Sequence, residues 1–384
     1  MSALRNVLTL LLVLSMSCKE SKKTKSDAPV QENSEQTSSE VPFYVGTYTD
    51  GDSEGIYKFF LAGDGSLRAA GLMAETENPS FLALSPDGQY LLAVNEVSDD
   101  AQTGYLSSFK IGGDTLSLID RKPTGGAHPC HVVADQAGYV VVANYSGGNM
   151  GLLKVFEDGG LSDLLDVQQH TGRGSHPRQD APHAHSGWFT QKGEIISVDL
   201  GTNQLWFSEI ERAEDKFVPG EPSTFSMEAG AGPRHLVIHP KSPWIYVINE
   251  LSSSVSFMIT DASGIPQEIR QTISTLPDGF TDENTCADIR ISSDGKFLYA
   301  SNRGHNSIAI YEINPESGML KFLGHEATLG ETPRNFNISP DDKFLLVANQ
   351  TTSTIVAFRR DTVSGLLFYT DQIDAPSPVC ILFD

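Results

Sequence analysis

NPSFLALSPDGQYLLAVNE, residues 78–96, is the clearest copy of a phrase that recurs along most of the chain. The phrase consists of an apolar strand, a Ser-Pro-Asp-Gly turn, a second apolar strand and a polar exit. Proline presets the turn dihedral, aspartate can bond its own backbone and glycine accepts a positive φ, so the pattern predicts a β-hairpin. Further copies lie around residues 129–144, 233–250, 286–303 and 333–350, and a weaker one lies around 184–200.

The spacing of these copies predicts an all-β, seven-bladed β-propeller. We align them on the residue after the first proline, which we call the opening residue. The opening residues are Ser80, Cys130, His185, Arg234, Ala287, Arg334 and Val379. Consecutive ones are about 45 to 55 residues apart, which suits the four short strands of one blade.

The two ends of the repeat region predict how the ring closes. Residues 377–383 contain a first strand without a second, whereas residues 43–48 resemble a second strand without a first. We therefore expect the N- and C-terminal strands to share one blade, which removes a free sheet edge. Two β-sandwiches would leave this split repeat unexplained, so the propeller is expected over residues 41–384.

The first 40 residues carry targeting features. Arg5 precedes an apolar run at 7–14 that is too short to span a bilayer, so residues 1–17 are predicted to be a signal peptide. Cys18 follows small residues, as in a bacterial lipobox, and is predicted to be lipidated; plain secretion is the alternative. Residues 18–40 are polar, have no aromatic residue and would form a disordered tether to the cell envelope, periplasmic or at the surface.

Charge and cysteine content narrow the class of protein. The formal net charge is −22, which argues against nucleic-acid binding, although a local arginine cluster can still attract an anionic small molecule. Cys130, Cys286 and Cys380 lie beside apolar strands, so we expect buried core thiols and no disulfide framework.

Hairpin geometry brings the opening residues and the residues that leave the second strands to one mouth of the propeller. We call the latter exit residues, and they include Glu96, Tyr145, Glu250, Arg303 and Gln350. This mouth would collect one histidine, three arginines and two glutamates. Such a composition predicts a site for a polar, anionic small molecule.

Several motifs resemble those of the lactonase family of seven-bladed propellers, which includes 6-phosphogluconolactonases and, more distantly, carboxy-muconate lactonising enzymes. They are YVGTYT at 44–49, HPRQDAPHAHS at 176–186, GPRH at 232–235, NEL at 249–251, SNRG at 301–304 and TPRN at 332–335. The resemblance implies a catalytic cluster of His185, Arg234, Glu250 and Arg303. Hairpin geometry brings the same four residues to one mouth.

Hydrolysis of a lactone fits this set of residues. The reaction needs a base for water, a proton donor for the leaving alkoxide and cationic stabilisation of the oxyanion. His185 or Glu250 would activate water, and Arg234 and Arg303 would bind the oxyanion and any anionic substrate group. Arg178, His183 and Arg334 are predicted to bind substrate. No cofactor and no metal are expected, since no Cys or carboxylate spacing around the histidines makes a recognisable metal site.

Other interpretations stay open at the level of sequence. Glu250 could form a purely structural ion pair with Arg234. Cys130, flanked by two histidines, could act as a nucleophile, although no Asn or Asp orienter accompanies it. The whole protein could be a non-catalytic propeller that binds a carbohydrate or a protein, or a muconate-type cyclase, because lactonisation shares the transition state of hydrolysis.

The lipid anchor gives a direct test. We expect the wild-type protein made in bacteria to enter the detergent phase of a Triton X-114 partition, and the Cys18→Ser variant to stay in the aqueous phase. Equal partitioning of the two proteins would contradict lipidation at this residue.

Overall fold

The computed structural model describes residues 40–384, which form seven four-stranded antiparallel sheets in a propeller. Blade 1 contains β1 (Val41–Thr47), β2 (Gly55–Leu61), β3 (Leu67–Glu75) and β28 (Pro378–Phe383). Blade 2 contains β4 (Leu82–Leu84), β5 (Tyr90–Asn95), β6 (Tyr105–Ile111) and β7 (Leu116–Pro123); blade 3 contains β8 (Pro129–Ala134), β9 (Tyr139–Asn144), β10 (Asn149–Lys154) and β11 (Asp166–Gln169).

The remaining blades follow in chain order. Blade 4 contains β12 (Ala184–Phe189), β13 (Ile195–Asp199), β14 (Gln204–Glu211) and β15 (Lys216–Ser226); blade 5 contains β16 (Pro233–Ile238), β17 (Trp244–Asn249), β18 (Ser254–Thr260) and β19 (Pro266–Ser274). Blade 6 contains β20 (Thr285–Ile291), β21 (Phe297–Arg303), β22 (Ser307–Ile313) and β23 (Leu320–Ala327); blade 7 contains β24 (Pro333–Ile338), β25 (Phe344–Asn349), β26 (Thr354–Arg360) and β27 (Leu367–Asp374). Within residues 40–384, no helix is long and apolar enough to cross a membrane.

The predicted seven blades and their hairpins are confirmed. In the clearest copy, Ser85 and Asp87 form the turn between β4 and β5, and the Gly88 amide donates to the Ser85 carbonyl at 2.9 Å. Gly88 has a φ of 70°, the conformation for which the turn needs glycine. The predicted signal peptide, Cys18 and all of the tether before residue 40 lie outside the described residues.

The terminal strands share blade 1, as the split repeat predicts. β28 pairs with β1 from Phe43 and Phe383 to Gly46 and Cys380. Side chains of blade 7 also hold β28, because the Ile381 amide donates to Asn335 Oδ1 at 2.7 Å. Gly46 is required at this junction, since a Cβ there would lie 2.3 Å from a carbonyl oxygen of the segment that leads into blade 2.

The hydrophobic core lies between neighbouring blades. Leu92 and Val94 of blade 2, for example, pack with Val132 and Val142 of blade 3 in one buried cluster. The cysteine prediction is confirmed, since the free thiols of the structure are all buried; they belong to Cys130, Cys286 and Cys380.

In five blades, a buried polar side chain at the end of the second strand connects the blade to the previous one. Each of these side chains bonds the residue directly after the outermost strand of the previous blade. The pairs are Asn95 with Thr76, Asn144 with Thr124, Asp199 with His170, Asn302 with Thr275 and Asn349 with Thr328, at 2.7 to 3.0 Å. All five Asn and Asp side chains are fully buried, so the exit residue that follows each one has a fixed position.

A β-bulge lies at the start of the innermost strand in six of the seven blades. In five of these blades the single unpaired residue is the opening residue, and in blade 6 the opening residue Ala287 and the next residue, Asp288, are both unpaired. The bulged residues are Cys130, His185, Arg234, Ala287, Arg334 and Val379. Bulges of this kind redirect a side chain out of the sheet pattern, and here they do so at one end of the propeller.

The closing strand should contribute strongly to stability. Ile381 is 2% exposed in a cluster shared by blades 1 and 7, so Ile381→Ala should lower the free energy of unfolding by about 2–5 kcal/mol. Val363→Ala is the control, because Val363 is 88% exposed and its loss should change stability by less than about 0.5 kcal/mol. Urea unfolding measures both, and equal effects would contradict a core position for β28.

Candidate active site

The mouth of the propeller contains a polar cavity of about 200 Å³. The residues that line it are Glu96, Cys130, Tyr145, Arg178, His185, Glu250, Arg303 and Arg334. All except Arg178 are opening or exit residues of the repeated hairpin. The structure thus brings seven of the opening and exit residues together in one cavity. Arg234 lines a small adjoining space together with Glu96, Cys130 and Arg334.

Glu250 is the centre of an arginine cluster. Its Oε1 is 2.6 Å from Arg178 Nη2, and its Oε2 is 3.0 Å from Arg234 Nε and 2.9 Å from Arg303 Nη2. The Glu250 side chain is almost completely buried, as is that of Arg234, whereas Arg178 is about half exposed. The structural ion pair between Glu250 and Arg234 that the sequence left open is therefore present, within a larger cluster.

The cluster fixes the charge of the carboxylate. Burial alone would raise the pKa of Glu250, but the charges of Arg303, Arg234 and Arg178 outweigh it and hold that pKa at about 2. Burial and the neighbouring guanidinium groups lower the pKa of Arg234 to about 10, so Arg234 is still charged at neutral pH. Glu250 is consequently fully deprotonated at neutral pH, and its carboxylate is a weak base.

His185 lies beside this cluster with a free ring nitrogen. Its side chain is buried, and its ring meets the ring of Tyr145 edge to face at a centroid distance of 5.5 Å. Nδ1 is 3.8 Å from Cys130 Sγ, whereas Nε2 has no hydrogen-bond partner in residues 40–384. Burial lowers the pKa of His185 well below its usual value, and the charge of Arg234 adds to this effect. The imidazole is therefore neutral at neutral pH.

The Cys130 thiol does not resemble an activated nucleophile. Its Sγ donates to the His185 carbonyl at 3.4 Å, and burial raises the pKa of this thiol far above its usual value. A reactive cysteine needs a depressed pKa, because the thiolate is the nucleophile. Cys130 is better described as a packed residue in the wall of the cavity.

A second polar group lies across the mouth, on blades 7, 1 and 2. Arg334 Nη2 donates to the Tyr48 hydroxyl at 2.7 Å, and that hydroxyl donates to Glu96 Oε2 at 2.8 Å. The Ser80 hydroxyl also donates to Glu96 Oε2. We call Arg334, Tyr48, Glu96 and Ser80 the opposite quartet.

Arg178 comes from the segment between β11 and β12, outside every strand. The next residue, Gln179, is fully buried and anchors this segment: its Nε2 donates to the Leu200 carbonyl at 2.8 Å and to Asn203 Oδ1 at 3.0 Å. Its Oε1 accepts the His176 amide at 3.0 Å. The anchored backbone positions Arg178 so that its guanidinium reaches Glu250.

His183 and Gln350 do not line the cavity. The His183 ring stacks on Tyr145 at 4.6 Å, and its Nδ1 is 3.2 Å from the Tyr145 carbonyl oxygen, so it supports the wall. Gln350 lines a separate surface depression with Asp50 and Asp52. Among residues 40–384 no group of three or more His, Cys, Asp or Glu side chains is arranged to hold a metal ion.

Comparison with known proteins identifies the family. The family described as "Lactonase, 7-bladed beta-propeller" matches residues 42–383. The chain belongs to this lactonase family. The 6-phosphogluconolactonase of Bacillus subtilis is 36% identical over 345 residues, which cover 88% of this chain and 97% of the relative. The 6-phosphogluconolactonase of Formosa agariphila is 37% identical over 305 residues, 76% of this chain and 85% of the relative.

A solved structure supports the same assignment. The periplasmic gluconolactonase of Pseudomonas aeruginosa superposes with a TM-score of 0.85 and 31% identity, over 90% of this chain and 99% of the relative. The family membership expected from the sequence motifs is thereby confirmed. Within this lactonase fold, Tyr48 is the mouth residue that the sequence reasoning missed. It follows β1, the second strand of blade 1, so it occupies the exit position of the split blade.

The arginine cluster predicts an acid-dependent stability. Glu250→Gln should lower the free energy of unfolding at pH 7 by about 3–5 kcal/mol, because it leaves three guanidinium groups without their shared anion. The pKa of Glu250 is lowered from 4.5 to about 2 on folding, so its contribution is complete above pH 4.5 and is lost as the pH falls toward 2.

Chemical unfolding of wild type and variant between pH 7 and pH 3 measures this contribution. The stability difference between the two proteins should shrink as the pH falls. Glu214→Gln is the matched control, since Glu214 is 63% exposed in a surface pair with Lys216 and should contribute less than about 1 kcal/mol. A Glu250 variant as stable as this control would show that the cluster does not stabilise the fold.

Proposed function

We propose that this protein hydrolyses the lactone of a sugar acid. The observation that carries the proposal is the arrangement of three guanidinium groups around Glu250 beside a neutral, buried His185, in one cavity of a lactonase-family propeller. Related proteins named as 6-phosphogluconolactonase and gluconolactonase act on lactones of this class, as their names state.

His185 is the better candidate for the general base. Its Nε2 is free among residues 40–384, and the neutral ring can accept a proton from water at neutral pH. Glu250 has a pKa of about 2 and shares both carboxylate oxygens with arginines, so it is poorly suited to remove a proton. In this proposal Glu250 is the anion that holds the arginines in place.

Arg234 and Arg303 would stabilise the oxyanion. Arg234 Nη1 donates to the Ala287 carbonyl and Arg303 Nη2 donates to the Cys286 carbonyl at 2.8 Å, so both guanidinium groups are fixed to β20. In the described part of the chain, Arg234 Nε and Arg303 Nε are buried without a hydrogen-bond partner, so protein acceptors do not saturate either guanidinium group. Fixed donors of this kind stabilise a developing negative charge without reorganisation.

In the proposed reaction, the proton that His185 takes from water is returned to the leaving alkoxide. Water adds to the lactone carbonyl carbon while His185 takes its proton, and the carbonyl oxygen becomes an oxyanion between the arginines. The bond from the carbonyl carbon to the ring oxygen breaks as the tetrahedral intermediate collapses. The imidazolium returns its proton to the departing alkoxide, and the product is the open hydroxy acid.

We also propose that the reaction takes place in the cell envelope. Residues 1–17 have the composition of a signal peptide, and Cys18 is placed for a lipid anchor, which would be the protein's only membrane attachment. The Pseudomonas aeruginosa relative is a periplasmic protein by name. A lactone present outside the cytoplasm would be the substrate, and no nucleic-acid partner is expected for so acidic a surface.

His185→Ala should reduce kcat/KM for lactone hydrolysis by roughly 10²–10⁴, the usual contribution of a general base. Acid release in a pH-indicator assay, corrected for spontaneous hydrolysis, measures the loss. Because the pKa of His185 lies well below its usual value, wild-type activity should persist as the pH falls below 6.5.

His128→Asn is the matched control. His128 lies outside the cavity lining and has a φ of 52°, which asparagine tolerates, so this variant should keep activity within about threefold of wild type. Wild-type rates for the His185→Ala variant on every lactone tested would refute the assignment of the base.

A further inference from the structure

The two walls of the cavity differ in charge. On one wall, the guanidinium groups of Arg178, Arg234 and Arg303 surround the single carboxylate of Glu250, which leaves an excess of positive charge. On the other wall, the opposite quartet contains one guanidinium and one carboxylate, so the charges within the quartet cancel. Blades 7, 1 and 2 carry the neutral wall; Glu96 on blade 2 is the member farthest along the ring from Arg303, because blade 7 with Arg334 directly follows blade 6.

Glu96 is the informative residue of the neutral wall. Both of its protein donors, the hydroxyls of Tyr48 and Ser80, bond the same oxygen, Oε2. Oε1 has no donor anywhere in residues 40–384, although Glu96 lines the cavity. Arg334 also has unused N–H groups, because its one side-chain hydrogen bond within the same residues is from Nη2 to Tyr48.

We infer that the opposite quartet is a subsite for the uncharged, hydroxyl-bearing end of the substrate, so that the enzyme selects unphosphorylated sugar-acid lactones. A free carboxylate oxygen accepts a hydroxyl hydrogen, and a nearby guanidinium donates to a hydroxyl oxygen, so the pair recognises a polyol. A phosphate in the same place would bring about −1.5 to −2 charges against Glu96 and would have no hydrogen to donate when fully ionised. This inference rests on the proposed function and specifies its substrate class.

The orientation of the substrate follows from the two walls. The lactone carbonyl lies at Arg234 and Arg303, where the oxyanion and then the product carboxylate form. The hydroxyl chain extends across the mouth to Glu96 and Arg334. Arg234 and Arg303 therefore serve the reacting end, and at the far end the charge of Arg334 is balanced by that of Glu96.

Glu96→Gln is the decisive variant. The amide oxygen can accept the hydrogens of Tyr48 and Ser80, while the amide nitrogen replaces the free carboxylate oxygen and removes its charge. We expect wild type to have a higher kcat/KM for gluconolactone than for 6-phosphogluconolactone. The variant should shift this ratio toward the phosphorylated lactone by roughly tenfold or more, since a like charge is removed from the subsite.

Two further measurements complete the test. Glu157→Gln is the matched control, because Glu157 is exposed at the opposite end of blade 3, and it should leave the ratio unchanged. Calorimetry of wild type with the products should show tighter binding of gluconate than of 6-phosphogluconate, which requires neither turnover nor a variant.

The outcomes separate the two proposals. A wild-type preference for the phosphorylated lactone, or a ratio that Glu96→Gln does not move, would overturn the neutral subsite and leave the lactonase proposal intact. No acceleration of any lactone by wild type would overturn the proposed function. In that case the binding of the products alone would test the subsite proposal, and tighter binding of 6-phosphogluconate than of gluconate would reject it.

Discussion

The hydrogen bond from the end of the second strand to the preceding blade, present in five of the seven blades, is the constraint on which this structure depends. Asn95, Asn144, Asn302 and Asn349 each bond the residue that leaves the previous sheet, and Asp199 does so through a histidine. One buried side chain therefore fixes both the register between blades and the position of the exit residue after it. Glu96, Tyr145 and Arg303 reach the mouth because their neighbours in sequence hold the ring together.

The charge cluster at the mouth is a consequence of the same architecture. Glu250, Arg234 and Arg303 belong to blades 5 and 6, and Arg178 belongs to the segment that leads into blade 4. A single buried carboxylate is thus shared by parts of the chain that are distant in sequence. The sharing makes Glu250 a weak base, which is why we propose the neutral imidazole of His185 as the general base.

Much of this arrangement could be predicted from sequence, because the copies of the repeat share recognisable turn and strand-end residues that align them. The period indicates the blades, the split repeat indicates the closure, and the positions after proline and asparagine indicate the mouth. The β-bulges could not be predicted, since no residue type marks them, yet they redirect His185 and Arg234. Arg178 could be assigned only to substrate binding, because its segment has no counterpart in the repeat and depends on the buried contacts of Gln179.

The shared blade also determines the order in which the protein can fold. Phe43 near the start of the propeller pairs with Phe383 at its end, so this contact has the largest sequence separation in the sheet pattern. During synthesis from the N-terminus, the inner edge of β1 stays unpaired until the last strand has emerged, and an unpaired edge promotes association with other chains. Completion of the ring must therefore wait until the last strand has been translated.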